Sequence, residues 1–333
     1  MSLATSATDL HRIASGALAP ATEDASDYRI ATSLGRVFLA KNRAGRLALL
    51  IPLSAKPGTV GRRGGGFSLF PASRISFLHD GRRWEQAAAV FECTDDTFLS
   101  AFIVLIADVA RRLERLVQSS WRDVLEWLDE WQAMLSGGTL SPEQQLGLWA
   151  ELWIIDHAVH VDLLLRSWIG PDREASDFLI DGMGVEVKAS RRAHIHQVSQ
   201  RQVERPVGSL EAYLLSMWVG TDPVGGVSLA DLVESILIKA SDPAAFLKRI
   251  GQLGYSPLDR GLYSSRLVHL EEPKWFNSHD IPRVRAADPG VSMLRYTVSL
   301  DTGLFLSEEA ASMLWDRLWN QAVPTVEARG ESR

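Results

Sequence analysis

The sequence predicts an α/β protein: a mixed β-sheet flanked by helices, with a β-rich N-terminal region ahead of it. Three observations predict it. Between Arg29 and about Glu92, short apolar runs alternate with Gly- and Pro-bearing turns, the pattern of strands. From about Thr97 to Leu165, apolar residues recur at helical spacing. From Ser141 onward a capped helix is followed by three short strand-like segments, two of them joined by a hairpin turn.

The elements follow in order. Arg36–Ala40, Leu47–Ile51 and Arg74–Leu78 read as strands. Lys56-Pro57-Gly58-Thr59 and Arg62 to Gly66 read as loops between them, the second basic and able to touch phosphate, and Asp80-Gly81 as a tight turn. Phe98, Phe102, Leu105, Val109 and Leu113 form one helical stripe, and Trp121, Leu125, Leu128 and Trp131 another, closed by Gly137-Gly138. A tryptophan stripe of this kind marks core rather than a ligand box. Ser141-Pro142-Glu143-Gln144 is a capping box with proline at the first helical position, opening a helix expected to run to about Leu165. Trp168-Ile169-Gly170-Pro171 breaks it. Strands are expected at about Ala175–Ile180, Gly184–Ala189 and His194–Val198, with Asp181-Gly182 turning between the first two. Tyr213–Val219 reads as a buried strand, Ser228 and Asp242-Pro243 as helix starts, Leu267–Leu270 and Leu294–Leu300 as late strands, and Ser307–Gln321 as an amphipathic helix.

Composition narrows the function classes. The 333 residues allow one large domain or two ordinary ones, and 46% hydrophobic with 23% charged residues can bury a substantial core. Cys93 is the single cysteine, which excludes a disulfide within the chain and a cysteine-rich zinc site. Met1 to Asp9 lacks the basic-then-apolar pattern of a secretory leader, and Asp156, His157 and His160 interrupt the longest apolar stretch, so the cytoplasm is the expected compartment and no membrane partner is expected. The net charge of −6 gives no overall pull toward nucleic acid. A local basic patch exists in Lys188, Arg191, Arg192, Arg201 and Arg205, opposed by Glu186 and Glu204, which taken alone reads as an ordinary solvated surface.

The chemistry concentrates between Glu151 and Lys188. Phosphodiester hydrolysis needs an in-line water, charge neutralisation at phosphorus and stabilisation of the leaving oxygen, which Mg²⁺ held by oxygen ligands can supply. Asp177 and Glu186 fall on adjacent arms of the expected hairpin, so their carboxylates can converge on one ion. Side chains alternate along a strand, so Glu186 and Lys188 share a face while Val185 and Val187 turn to the core. Lys188 could orient or help deprotonate the attacking water, or stabilise the transition state. Glu151 lies among Trp149, Ala150, Leu152 and Trp153, with Gly147 one turn earlier leaving room for another element. It could hold a second metal or the nucleophilic water. Each piece has an ordinary counterpart: a surface Glu-x-Lys pair, a turn aspartate, a solvent-facing glutamate. Their combination in this order is the stronger signal. His194 and His196 share a strand face and could bind a transition metal, or lie on a polar side of the third strand facing DNA. No H-E-x-x-H, G-x-S-x-G or helix-opening G-x-G-x-x-G occurs.

Gly147-Leu148-Trp149-Ala150-Glu151, Trp168-Ile169-Gly170-Pro171, Ser176-Asp177-Phe178 and Val185-Glu186-Val187-Lys188-Ala189-Ser190 together resemble the PD-(D/E)XK nuclease superfamily. The chain looks most like the bacterial proteins called PD-(D/E)XK motif proteins, a group first catalogued as a domain of unknown function. The likeness extends more loosely to Asp280-Ile281-Pro282-Arg283 and Tyr296-Thr297-Val298. It departs at Ala150, where such helices often carry a second glycine, and at Ser176, where a proline is usual.

The resemblance implies a restriction-endonuclease-like core and a Mg²⁺-dependent DNA endonuclease, with Mn²⁺ able to substitute. Asp177 and Glu186 would be metal ligands, with the Val187 carbonyl and Glu151 as further candidates, Lys188 the catalytic lysine and Glu151 the helix acid. Gln202 matches a glutamine of related enzymes. Arg191, Arg192, His194, His196, Arg201, Gln202 and Arg205 are the candidate DNA contacts, which position a protein without reading sequence. The family context implies anti-phage defence beside methyltransferase or ATPase components, and cutting both strands makes a homodimer plausible. The alternatives are a non-catalytic or partner-activated DNA-binding subunit of a defence complex, or a repair nuclease. The expected organisation is a flexible N-terminus over 1–25, a β-rich region followed by helices over 26–138, the nuclease core over 139–225, a helical and strand extension over 226–325 and a tail over 326–333.

Overall fold

The computed structural model describes residues 27–55, 60–63, 66–79, 82–114, 118–135, 139–172, 176–199, 211–284, 294–300 and 303–320. The chain is a mixed α/β protein of two compact units, Met1–Leu140 with Leu237–Tyr263, and Ser141–Ile236 with Ser264–Arg333. Leu237–Tyr263 thus clusters with the first unit, whereas the sequence reading placed it in a C-terminal extension.

In the first unit, strands β1 (Tyr28–Leu34), β2 (Val37–Asn42), β3 (Leu47–Pro52), β4 (Arg62–Arg63), β5 (Phe67–His79) and β6 (Arg82–Cys93) form one sheet in the order β1-β2-β3-β6-β5-β4. β1 also pairs in parallel with β5 through Tyr28–Phe77 and Arg29–Leu78, which closes the sheet on itself. Closure explains the unbroken apolar run of β3, buried from Leu47 to Ile51. Ala48 and Leu50 pack with Tyr28, Ala40, Ile75, Phe77, Ala88 and Val90, where alanines leave room inside a narrow ring of strands. On the other side Phe91 meets helices α1 (Leu99–Glu114) and α2 (Trp121–Leu135), its ring 4.6 Å from Phe102 and 5.6 Å from Trp127. Asp108 Oδ2 accepts from the indoles of Trp127 (3.2 Å) and Trp131 (2.8 Å), so the tryptophan stripe is core.

Two expectations change here. Arg62–Arg63 is not loop but a short strand opposite Leu69 and Ser68. The strand expected at Arg74–Leu78 begins back at Phe67 and runs through Pro71, with its register shifting between Ala72 and Ile75, because a bulge absorbs the irregularity. Residues 1–25, Lys56–Thr59, Gly64-Gly65, Asp80-Gly81, Gly137-Gly138 and the 326–333 tail lie outside the described residues.

The second unit opens with α3 (Pro142–His157). Ser141 accepts from Gln144 N–H and Gln144 returns to the Ser141 backbone, a complete capping box. The helix stops short of Leu165. Ala158 turns extended (ψ 141°), and α4 (Val161–Ser167) restarts the helix. The cause is tertiary: Val159 N–H donates to Trp319 O at 3.2 Å, and Trp153 and His157 pack on Trp319. Strands β7 (Phe178–Ile180) and β8 (Met183–Ser190) form the hairpin, with positive φ at Asp181 (45°) and Gly182 (79°), the twist-matched turn that the Asp-Gly pair favours.

β9 (Ile195–Ser199) follows, then β10 (Glu211–Thr221), β11 (Val227–Ser228) and α5 (Leu229–Lys239). α6 (Pro243–Leu253) belongs to the first unit, and β12 (Arg266–His269), β13 (Lys274–Asn277), β14 (Arg295–Ser299) and α7 (Glu308–Trp319) return to the second. The sheet order is β11-β12-β10-β8-β7, with β13 also on β10, and only β8 and β10 run parallel. β9 pairs with β14 in a separate two-stranded sheet. Val198, Val298 and Leu300 from that pair pack onto Leu214, Phe276 and Ile281, so the third segment covers the sheet's face instead of extending its edge. Among the described residues no helix is long and apolar enough to cross a membrane.

Candidate active site

Asp177 is the node of the site. Its N–H donates to Val185 O at 2.9 Å, and its carbonyl accepts from Ile169 N–H (2.8 Å) and Gly170 N–H (3.0 Å). Its Oδ2 accepts from Val187 N–H at 2.7 Å. The carboxylate is thereby fixed beside β8 just where Glu186 and Lys188 project. Val185 and Val187 are buried on the opposite face, as alternation requires. Glu186 is only 3% exposed, and the Lys188 Nζ stands 2.8 Å from its Oε1. The stretch Trp168-Ile169-Gly170 brings in the third acid: the fully buried Trp168 donates its indole N–H to Glu151 Oε2 at 2.6 Å. A Cβ added at Gly170 would stand 2.8 Å from Asp177 Oδ1 and 3.0 Å from Glu151 Oε2, so glycine there lets the two carboxylates converge.

Three carboxylates and one ammonium in a partly buried site do not balance. Burial raises the Asp177 carboxyl well above its ordinary value, and the negative charges of Glu186 and then Glu151 push the same way, against Lys188 and the Val187 N–H. For Lys188, burial is the largest single influence and pulls the ammonium down. Glu186, Asp177 and Glu151 together outweigh it, and the group ends above its ordinary value. Lys188 is therefore an ammonium at neutral pH.

The other predicted positions divide. Arg191 and Arg192 are exposed just past β8. His194 and His196 do not face outward: they are 8% and 4% exposed, each ring with a nitrogen 2.6 Å from Ser216 Oγ, because β9 folds over the sheet. Arg201, Gln202 and Arg205 lie outside the described residues. Gly147 does not admit a neighbouring element, since a Cβ there would meet nothing within 4 Å. Cys93 is buried at the end of β6, its thiol pushed up to about 11 by burial. In the sequence reading, Trp168 and Gly170 appear as a helix break and as part of a stretch that carries the family resemblance, with no role in the site, and Ser216 does not appear. The available signal for Ser216 was a lone hydroxyl inside the apolar run Leu214–Val219.

Among the described residues no group of three or more His, Cys, Asp or Glu is already arranged to hold a metal ion. In kind the donors suit a hard cation: Glu151, Asp177, Glu186 and the Val187 carbonyl are all oxygen, and the excess negative charge that raises Asp177 is what a divalent ion relieves. Such an ion would compete with Lys188 for Glu186 and with Trp168 for Glu151.

A family model described as "Putative PD-(D/E)XK family member, (DUF4420)" matches residues 12–301. Neither a curated protein nor a solved structure matches the chain.

Proposed function

We propose that this chain, which belongs to the PD-(D/E)XK family, is a metal-dependent DNA endonuclease with a restriction-endonuclease-like core, acting in anti-phage defence. The observation that carries the reading is the convergence of Glu151, Asp177 and Glu186 with Lys188 on one face of β8, the Lys188 ammonium 2.8 Å from Glu186. Asp177, Glu186 and the Val187 carbonyl would hold Mg²⁺ or Mn²⁺, with Glu151 beside them. The ion supplies charge neutralisation at the scissile phosphate and its leaving oxygen. Asp177 holds its carboxylate in place through the Val187 N–H, so its geometry is set before anything binds. Lys188, kept charged by its acidic neighbours, donates hydrogen bonds: it orients the attacking water and stabilises negative charge on the phosphate oxygens. Trp168 holds Glu151 toward the same point and removes one of its faces from water. Arg191 and Arg192 contact the phosphate backbone. A homodimer would place two such sites on a duplex, and methyltransferase or ATPase components would supply the protection and energy of a defence system.

The test is cleavage of unmodified and methylated phage DNA with Mg²⁺ or Mn²⁺ by wild type, Lys188→Ala and Glu186→Ala. The reading expects wild type to cut and both variants to lose at least about 10²-fold, Lys188→Ala by removing a transition-state donor and Glu186→Ala by removing a metal ligand. Equal cutting by the variants sinks the site assignment. Inert wild-type protein on every DNA sinks the isolated chain as a nuclease, leaving the partner-activated subunit.

A further inference from the structure

Next to the candidate site lies a buried polar chain that the reaction described above does not use. Ser216 is the register neighbour of Lys188 on the parallel strand β10, on the same face of the sheet, and is fully buried. Its Oγ stands 2.6 Å from His194 Nδ1 and 2.6 Å from His196 Nε2, both delivered by β9 and the turn before it. His194 Nε2 in turn meets the Glu271 carboxylate at the surface end. Four polar side chains converging in an apolar setting are costly unless all are satisfied.

Glu271 accepts only, so His194 donates to it from Nε2. Ser216 can both donate and accept, so its one hydroxyl can bridge the two imidazoles. His196 is neutral: burial first, then the nearby Lys188 ammonium and the neighbouring His194, hold its imidazole down to about 3. Glu271, His194 and Ser216 have the order of a hydrolase triad, but a hydroxyl with no exposed surface cannot reach a substrate, so Ser216 is not a nucleophile.

We propose that Glu271, His194, Ser216 and His196 form a hydrogen-bonded strut that positions Lys188. This rests on reading Lys188 as the catalytic lysine. The strut clamps β9 over the β8–β10 face and holds the neutral His196 ring beside the lysine. Glu186 is then the only ionised group hydrogen-bonded to the ammonium among the described contacts. His194, Ser216 and His196 are positioning residues, acting on the reaction through Lys188 alone.

Nitrogen-15 NMR of the free, full-length protein tests the strut without relying on activity. At neutral pH, His196 is expected as a neutral imidazole, with a resolved Lys188 ammonium signal. His196→Leu removes the partner of Ser216, and the exchange of the Lys188 ammonium protons with water rises about tenfold, the worth of one hydrogen bond. His196→Gln, whose amide N–H can occupy the same place, restores the slow exchange. In DNA cleavage, His196→Leu lowers kcat about tenfold with KM for DNA little changed, and His196→Gln recovers it. A charged His196 at neutral pH, or slow Lys188 exchange in both His196 variants, overturns the strut. Chain that cuts no DNA but shows the expected exchange pattern supports the strut and overturns only the nuclease reading.

Discussion

Gly170→Ala is the smallest change that should separate the acids from one another. The added Cβ would sit 2.8 Å from Asp177 Oδ1, 3.0 Å from Glu151 Oε2 and 3.3 Å from Asp177 Cα. Ordinary contact begins near 3.4 Å, so Asp177 Oδ1 must retreat by about 0.6 Å and Glu151 Oε2 by about 0.4 Å. Neither is free to do so. Asp177 is held by the Val187 N–H at 2.7 Å and through its own backbone carbonyl by Gly170 itself, and Glu151 is held by Trp168 at 2.6 Å. Overpacking against pinned groups costs about 1–3 kcal/mol. For a unit of this size, that lowers Tm by several degrees, at about 2–4 °C per kcal/mol. The effect on turnover is larger, because misplacing a reacting group by about 1 Å costs about 10²-fold. A shift of just over half that predicts a loss of about tenfold in kcat, with DNA binding unchanged. The assay is single-turnover cleavage of a labelled duplex beside thermal melts of both proteins. If Gly170→Ala cuts at the wild-type rate and melts at the wild-type temperature, the acids do not meet at Gly170, and the geometry argued here is wrong.

Two further outcomes follow from protonation. Asp177 holds its proton to higher pH when folded than its ordinary 3.8, because of burial, Glu186 and Glu151. Its contribution to stability therefore falls as pH rises from about 3.8 through the raised value, and Asp177→Asn, which cannot ionise, should melt higher than wild type at about pH 8 but not at about pH 4. Thermal melts at both pH values check this, and a gap of the same size at both would contradict it. The second concerns His269, packed 5.3 Å from the Trp149 ring and 4.4 Å from Trp153, with neither ring nitrogen hydrogen-bonded among the described residues. Burial, then His157, holds its imidazole down from 6.5 to about 4. The unfolded chain binds that proton more readily, so stability is complete above 6.5 and is lost as pH falls toward 4. His269→Phe should flatten this acid limb in urea unfolding at about pH 7 and about pH 5, and an unchanged slope would refute it.

Local chemistry made much of this fold legible. The Ser141 capping box, the Asp181-Gly182 turn and the helix start at Asp242-Pro243 each rest on a few adjacent residues, and the structure has them where the sequence puts them. What failed to show was set by distant partners. The end of α3 at His157 depends on Trp319, more than 150 residues later. Strand β13 is four residues, Lys-Trp-Phe-Asn, too short to carry a period, and exists because β10 offers it an edge. The pairing of β9 with β14 depends on which face of the sheet needs covering, which alternation along β9 alone cannot tell.

The same division runs through the candidate site. The sharing of one face by Glu186 and Lys188 follows from the two-residue period of a strand, and needed no partner to foresee. Placing Asp177 against them needed only a hairpin of the right length. The third acid is different: nothing within Glu151's own helix turns it toward Asp177. Trp168 does so by hydrogen bonding, and Gly170 permits it by lacking a side chain. His194 and His196 went astray for a related reason. A polar pair on a strand is ordinarily a solvent face, and only the lone Ser216 in an apolar strand marks where that pair turns inward. Buried polar groups that break the local pattern are costly, and most are satisfied from elsewhere in the chain. Of the buried polar side chains of this unit, Glu186, His194, His196 and Ser216 lie on the face that carries Lys188, while Ser176, Ser228 and Ser278 lie elsewhere in the chain. That clustering locates the chemistry more sharply than any one of them does alone.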